Sequence, residues 1–421
     1  MILTYRIIST IIFPFLIIFV YLRKFLKKED PVRYKEKIFP STFLNKFEGK
    51  KKLIWFHVAS VGELQSIIPI IRSLNSSEEK YNFLITSITF SSGELAIKEF
   101  SDLNNLTHKY LPLDVNYLIK KFVSIWNPHV VFFVDSEIWP NLILNLKDKK
   151  IPLALINGRL TSKSFSRWLM IKKAAKKIFS LFDFILVSNS ISKKYFNELG
   201  GKNVHELGNI KFSSKIFTRK EKLDSSILKH KKYWCALSTH NNEEEFCIEA
   251  HLELRKKIQD ILTVIVPRHI NRSNEIEKIC SKNKIISQVV KKENEILKSS
   301  EIVIVNEFGV ISDYLLYAKS VFIGKSLLKK FKNDGGQNPI LAAKHGCKIY
   351  HGPYVFNFKD IYDFLGEKKI SKEILSNNEL IHNLKSDFSN KQKNIINTKI
   401  LVNNIGDEIL AKTLSKIKTL I

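Results

Sequence analysis

A carboxylate, an indole and a proline arrive together in Ser136-Glu137-Ile138-Trp139-Pro140-Asn141, directly after the run His129-Val130-Val131-Phe132-Phe133-Val134. Such a run reads as a buried strand, and open α/β sheets bind ligands outside the carboxyl ends of their strands. Trp139 and Pro140 can wall a pocket there, and Glu137 can put charge in it. The plain structural alternative is a strand-to-helix turn with Pro140 at the first helical position. A second carboxylate stands in the same relation to another run: Leu53-Ile54-Trp55-Phe56-His57-Val58 leads into Ala59-Ser60-Val61-Gly62-Glu63. Gly62 permits close approach of a substrate. A carboxylate in that position can act as a general base. Its structural alternative is a first-turn glutamate favoured by the helix dipole.

Cationic and glycine-rich segments follow. Lys211, in Gly208-Asn209-Ile210-Lys211-Phe212, can stabilise a departing anion, or is a solvated surface lysine. Pro267-Arg268-His269 follows another apolar run; a proline packs on a base, and an arginine offers donors to base or phosphate oxygens. Gly335-Gly336-Gln337-Asn338-Pro339 reads as a helix start capped by Asn338, whose N–H groups suit a phosphate. His240, in Ser238-Thr239-His240, is either a hydrogen-bonded structural histidine or a ligand contact.

With Ile156-Asn157-Gly158-Arg159-Leu160, these segments, in this order, resemble the Kdo (3-deoxy-D-manno-octulosonic acid) transferases of lipopolysaccharide synthesis, from the N-terminal segment to about Phe364. The resemblance implies an inverting transfer of Kdo from CMP-Kdo to the glucosamine disaccharide lipid A precursor (lipid IVA). It implies Glu63 as general base and Glu137 and Lys211 as transition-state stabilisers. CMP is expected on Pro267, Arg268, Phe308, Gly309, Val310, Asn338, Pro339, Ile340 and Leu341. Ser60, Gly62, Arg159, His240, Gly335, Gly336 and Gln337 are candidate donor or acceptor contacts. No metal or other cofactor is expected. The chain departs from the family pattern at Gln337, Leu341 and Val310, where histidine, glutamate and glutamate are usual. Losing a polar partner in a buried site costs about 1–3 kcal/mol. The alternatives are a glycosyltransferase-B enzyme using another nucleotide sugar on a lipid acceptor, or a non-catalytic basic membrane-binding protein.

The 421 residues suffice for two or three domains, and a formal charge of +27 favours an anionic partner, although a bias towards Lys, Asn and Ile contributes to it. No nucleic-acid module is evident, so an anionic membrane surface and a phosphorylated substrate are the expected partners. Cys235, Cys247, Cys280 and Cys347 are widely spaced and form no metal motif; they read as buried free thiols. Ile7 to Leu22 is apolar apart from Ser9, Thr10 and Pro14, and the basic Arg23, Lys24, Lys27 and Lys28 follow. That pattern predicts an uncleaved anchor, spanning or lying in the interface, with the downstream chain on the cytoplasmic side of the inner membrane.

The elements that must position these residues are alternating strand-like and helix-like runs, which predict a parallel sheet with crossover helices. The alternation repeats after about residue 215. The expected fold is α/β, two Rossmann-like domains facing a cleft, the glycosyltransferase-B architecture that the resemblance also implies. The expected division is an anchor over 1–25, an acceptor-binding domain over 26–212, a linker over 213–226 and a CMP-sugar-binding domain over 227–421. Trp168, Ile171, Ala175, Ile178 and Phe182 recur at helical spacing and predict one amphipathic helix from Arg167 to Phe182 with a basic outer face.

Overall fold

The computed structural model describes residues 2–44, 47, 49, 51–216, 226–291, 296–307, 309–389 and 393–421. Phe308 and most of the expected linker lie outside the described residues. The chain divides into two compact units, Met1–Lys215 with Ile405–Ile421, and Ile216–Asn404.

The first unit is built on seven parallel strands: β1 (Leu53–His57), β2 (Asn82–Ser87), β3 (Leu106–Tyr110), β4 (Val130–Val134), β5 (Leu153–Gly158), β6 (Phe184–Val187) and β7 (Val204–Glu206). Their order is β3-β2-β1-β4-β5-β6-β7. The register sets Ile54 of β1 against Phe83 of β2 and Val130 of β4. β1, β2, β4, β5 and β6 are buried along their whole length, which is why they read as unbroken apolar runs. Trp55, Phe122, Trp126 and Phe133 fill the core beside them.

The second unit repeats the plan with β8 (Tyr233–Thr239), β9 (Leu262–Pro267), β10 (Ser287–Val290), β11 (Ile302–Val305), β12 (Ser320–Ile323), β13 (Lys348–His351) and β14 (Ser371–Glu373). The order is β10-β11-β9-β8-β12-β13-β14, again parallel throughout. Its core gathers Trp234, Ile265, Ile304 and Phe322. All four cysteines are free and buried.

Both sheets reverse direction once, between β1 and β4 in the first and between β8 and β12 in the second. Strand order reversal opens a crevice at the carboxyl edge, where helices on the two sides diverge.

Two expectations change. Residues 405–421, assigned from the sequence to the second domain, pack with the first unit: Ile409 covers Gly208, and Gly406 lies against the Phe212 backbone. The single helix expected over Arg167 to Phe182 is two, Ser162–Met170 and Lys172–Phe179, broken at Ile171. In one helix Trp168 and Phe179 would stand about 16 Å apart along the axis; the break brings their rings to 5.1 Å, edge to face. The N-terminal helix is also longer than its apolar run, Ile2–Phe25, and is long and apolar enough to cross a membrane.

That helix has two unlike faces. Tyr5 donates to Asp114 (2.9 Å), Ser9 Oγ accepts from Asn141 Nδ2 (3.3 Å), and Arg6 lies 3.6 Å from Asp148. Phe13 packs on the first core, and Ile17 and Val20 on Tyr34, Ile38 and Leu113. Leu3, Ile7, Ile11, Phe15, Ile18 and Leu22 face outward, exposed.

Candidate functional site

At the reversal point of the first sheet, β1 runs through Val58 and Ala59 into the helix Val61–Asn75. Ser60 caps that helix: its Oγ accepts from Glu63 N (3.4 Å) and donates to Glu63 Oε1 (3.0 Å). Glu63 Oε2 reaches back to accept from Ala59 N at 2.6 Å. Glu63 thus sits in the first turn and bonds both the N-cap side chain and the backbone just before it, in the manner of a capping box. A capping carboxylate beside a helix N-terminus normally ionises readily. Glu63 does the opposite: burial first, then the negative charge of Asp135, raise it to about 7, with Glu137 adding to the effect. The carboxyl is therefore held where it exchanges a proton near neutral pH. A Cβ at Gly62 would meet nothing within 4 Å, so the face of this turn beside Glu63 is open.

One strand over, β4 ends in Asp135, whose left-handed backbone (φ 58°) turns the chain sharply. Asp135 was not singled out from the sequence, yet it is the hub of this cluster. Lys211 Nζ lies 2.5 Å from its Oδ2, and Asn157 Nδ2 donates to its Oδ1. Asn157, itself at φ 58°, accepts from Ile210 N at 3.0 Å, which pins the segment carrying Lys211 to the end of β5. Arg159 N donates to the Asp135 carbonyl. Two residues on, Glu137 accepts from Trp139 Nε1 at 2.9 Å, and Pro140 opens the helix Pro140–Asp148 as expected. His57, the last residue of β1, places Nε2 3.7 Å from Glu137 Oε2.

Three carboxylates, one lysine and one histidine thus converge where a reacting hydroxyl could lose its proton to Glu63. Of these the sequence marked Glu63, Glu137 and Lys211. It missed Asp135 and His57; the signal for Asp135 was its place between a buried strand and Glu137.

The second unit gathers a different chemistry at its own reversal point. Glu243, fully buried at the start of the helix Glu243–Arg255, accepts from the backbone N–H groups of His240, Lys325, Ser326 and Leu327 at 2.7–3.0 Å. It ties the turn after β8 to the turn after β12, a role that a glutamate between polar neighbours did not advertise. His240 is lowered to about 4 by burial, with the charges of His269, Lys325 and Arg268 contributing. The rings of His240 and His269 lie 5.7 Å apart between centroids, beyond the ends of β8 and β9. Arg268 is exposed and Pro267 buried, so the guanidinium is available to an anion.

The glycine loop differs from expectation in one respect. Gly336 N donates to Lys325 O (2.6 Å), Gly335 N to Phe331 O (2.7 Å), and Ile340 N to Asn338 Oδ1 (3.0 Å). These N–H groups are consumed inside the loop. The helix they precede, Ile340–Lys344, is five residues long and starts one residue after Pro339. A Cβ at either glycine would press on the Tyr354–Val355 backbone, and Gly336 has φ +89°, so the glycines serve close packing. Gln337 O accepts from Tyr362. Val310 is buried beside Gly309, whose φ is +78°. Leu341 is partly buried.

Residues 33–214 match the family model described as 3-deoxy-D-manno-octulosonic-acid transferase (kdotransferase). The 3-deoxy-D-manno-octulosonic acid transferase of Rickettsia bellii is 31% identical over 90% of this chain and 89% of its own. Among solved structures, a UDP-N-acetylglucosamine 2-epimerase described as putative, from Listeria monocytogenes, covers 88% of this chain and 98% of its own (TM-score 0.61, 13% identity). A glycosyltransferase from Rickettsia africae covers 88% and 99% (TM-score 0.55, 12% identity). At such identities the structural likeness speaks for the two-sheet, glycosyltransferase-B-like fold.

Proposed function

The chain belongs to the 3-deoxy-D-manno-octulosonic acid transferase family, and from that premise we propose that it moves Kdo from CMP-Kdo to a hydroxyl of lipid IVA, a phosphorylated and acylated glucosamine disaccharide, with inversion at the anomeric carbon. It is a glycosyltransferase. The observation that carries the finer reading is Glu63, a buried carboxyl poised at about 7 beside Asp135 and Glu137 at the sheet's reversal point.

The acceptor oxygen bonds to the anomeric carbon while the bond from that carbon to the CMP phosphate oxygen breaks. Glu63 takes the hydroxyl proton, which raises the nucleophilicity of an otherwise weak alcohol. Glu137, anchored by the Trp139 indole, supplies negative charge to the oxocarbenium-like sugar. Lys211, held by Asp135, supplies positive charge to the leaving phosphate once the donor arrives. On the second unit Arg268, exposed after β9, is the side chain we assign to CMP. No metal is needed in this scheme, because these cationic side chains do the work of charge stabilisation.

We also read the N-terminal helix as lying in the membrane interface on the cytoplasmic side. Its inner face is committed to the first unit through Tyr5, Arg6 and Ser9, while its outer face is a stripe of Ile, Leu and Phe. The excess of lysine and arginine adds attraction to anionic lipid, about 1 kcal/mol for each side chain near the surface.

The direct test is to incubate the detergent-purified protein with CMP-Kdo and a tetraacylated, bisphosphorylated glucosamine disaccharide, and to weigh the lipid product. A mass increase of one Kdo or more is expected. Gln337, Val310 and Leu341 favour a second reading, another nucleotide sugar as donor; product formation with a different nucleotide sugar and none with CMP-Kdo would select it.

A further inference from the structure

We infer that His57 is a positioning residue for Glu137, donating a hydrogen bond to its carboxylate when the site is loaded; this rests on the reading of Glu137 as part of the transfer site. His57 is wholly buried, and one side of its ring is fixed: Nδ1 lies 2.9 Å from Thr86 Oγ1. Trp55 Nε1 donates to the same hydroxyl at 2.8 Å. An indole N–H only donates. Thr86 thus accepts from Trp55 and keeps a proton to give to His57 Nδ1. In the tautomer we infer, Nδ1 takes that bond and the ring proton is on Nε2.

Nε2 has no hydrogen-bond partner among the described residues, although it is sealed from solvent. Glu137 Oε2 lies 3.7 Å from it. His251 in the second unit also leaves a buried Nε2 unpaired, so what sets His57 apart is the carboxylate that faces it. The gap closes to an ordinary hydrogen bond if the carboxylate moves by less than about 1 Å. Bonds of this kind are often long in a free enzyme and shorten when substrate is bound.

The surroundings allow that movement. Trp139 already donates to Glu137 Oε2, and its ring meets the edge of His57 at 6.3 Å between centroids. The two donors would then hold one carboxylate from two directions, one from a rigid buried strand and one from the loop. His57 pairs with Phe133 in the register between β1 and β4, so its ring cannot drift relative to the strand that delivers Glu137.

A double-substitution cycle tests this. His57→Asn keeps a polar group near Nδ1 and removes Nε2; His57→Gln keeps an amide near Nε2. His57→Asn should lower kcat for Kdo transfer by about 10- to 100-fold, the loss of one charge-assisted bond, with KM for CMP-Kdo within about twofold. His57→Gln should recover most of the loss. In a Glu137→Gln background His57→Asn should cost less than about twofold more. Equal losses in both single variants, or full additivity with Glu137→Gln, would overturn the inference. Ring-nitrogen shifts of protein labelled with 15N-histidine decide the tautomer without any turnover: a proton on Nε2 is expected, with a shift that moves in Glu137→Gln, and a proton on Nδ1 overturns the inference. Failure of the unaltered protein to transfer Kdo at all would instead remove the functional reading, and the nitrogen shifts would still judge His57.

Discussion

Lys211 Nζ sits 2.5 Å from Asp135 Oδ2, so the lysine is paired with the same carboxylate that pushes the proton affinity of Glu63 upward. The pair links, through one side chain, the charge we assign to the phosphate and the carboxyl we assign as base. It also means that Lys211 is not a loose surface lysine: it is presented by a short 3₁₀ turn, Ile210–Ser213, held by Asn157 and Asn209.

Asp135→Asn should therefore change the pH dependence of transfer. Glu63 must be ionised to act as base, so activity in the unaltered protein should rise as pH passes through about 7. Removing the negative charge of Asp135 lowers the affinity of Glu63 for its proton. The acidic limb of kcat/KM against pH should move to lower pH. An unmoved or higher limb would separate Asp135 from Glu63. The maximal rate should fall as well, because Lys211 loses its anchor.

Glu63→Gln should lower turnover on the order of 10²–10⁴-fold while leaving CMP binding intact. It should also stabilise the fold at pH 8. The folded-state proton affinity of Glu63 is raised above its unfolded value, so its favourable contribution is present at low pH and is lost as pH rises through about 7. Above that pH the ionised, buried carboxylate opposes folding by about 1–3 kcal/mol. Thermal melts of the two proteins at pH 8 and pH 4 provide the check: Tm of the variant should be higher at pH 8, and the difference should shrink at pH 4.

Arg268→Ala should weaken CMP binding, and calorimetry of the two proteins measures it directly. Losing one charge-assisted contact should reduce affinity by about tenfold or more. Unchanged affinity would move the nucleotide away from the end of β9. Transfer should also persist in a chelator; activity lost there and restored by a divalent cation would contradict the metal-free scheme.

The two faces of the N-terminal helix separate anchoring from folding. Replacing the outward Ile11 and Phe15 by Asp should leave Tm nearly unchanged and weaken co-sedimentation with anionic vesicles. Deleting residues 1–25 should instead lower Tm, because it uncovers Tyr34, Ile38 and Leu113 and removes the Tyr5 partner of Asp114. Asp114 also accepts from Asn141 N and Leu142 N at 3.0 Å, so the deletion should disturb the helix that follows Trp139 and Pro140. Binding to vesicles unaffected by the paired aspartates would leave the basic surface as the sole membrane contact.

Long buried strands, and the segments immediately after them, were legible in the chain itself. β1, β2, β4, β5, β6, β8, β9, β11 and β12 are apolar runs because both their faces are covered, and composition alone records that. Glu63, Glu137 and Arg268 could be picked out because each follows such a run. The edge strands could not: β3 (Leu-Thr-His-Lys-Tyr) and β14 (Ser-Lys-Glu) are polar and partly exposed, and only pairing with a neighbour makes them strands. The same holds for the break at Ile171, which lets the rings of Trp168 and Phe179 meet, and for the last helix, whose end packs with the first unit. Above all, chemistry that depends on proximity was decided by the tertiary structure. The proton affinity of Glu63 is set by burial and by Asp135, a residue far along the chain, and His57 faces Glu137 only because β1 and β4 are neighbours across the reversal of the sheet. Side-chain type is written in the sequence; desolvation and the distance between charges exist only once the strands are assembled.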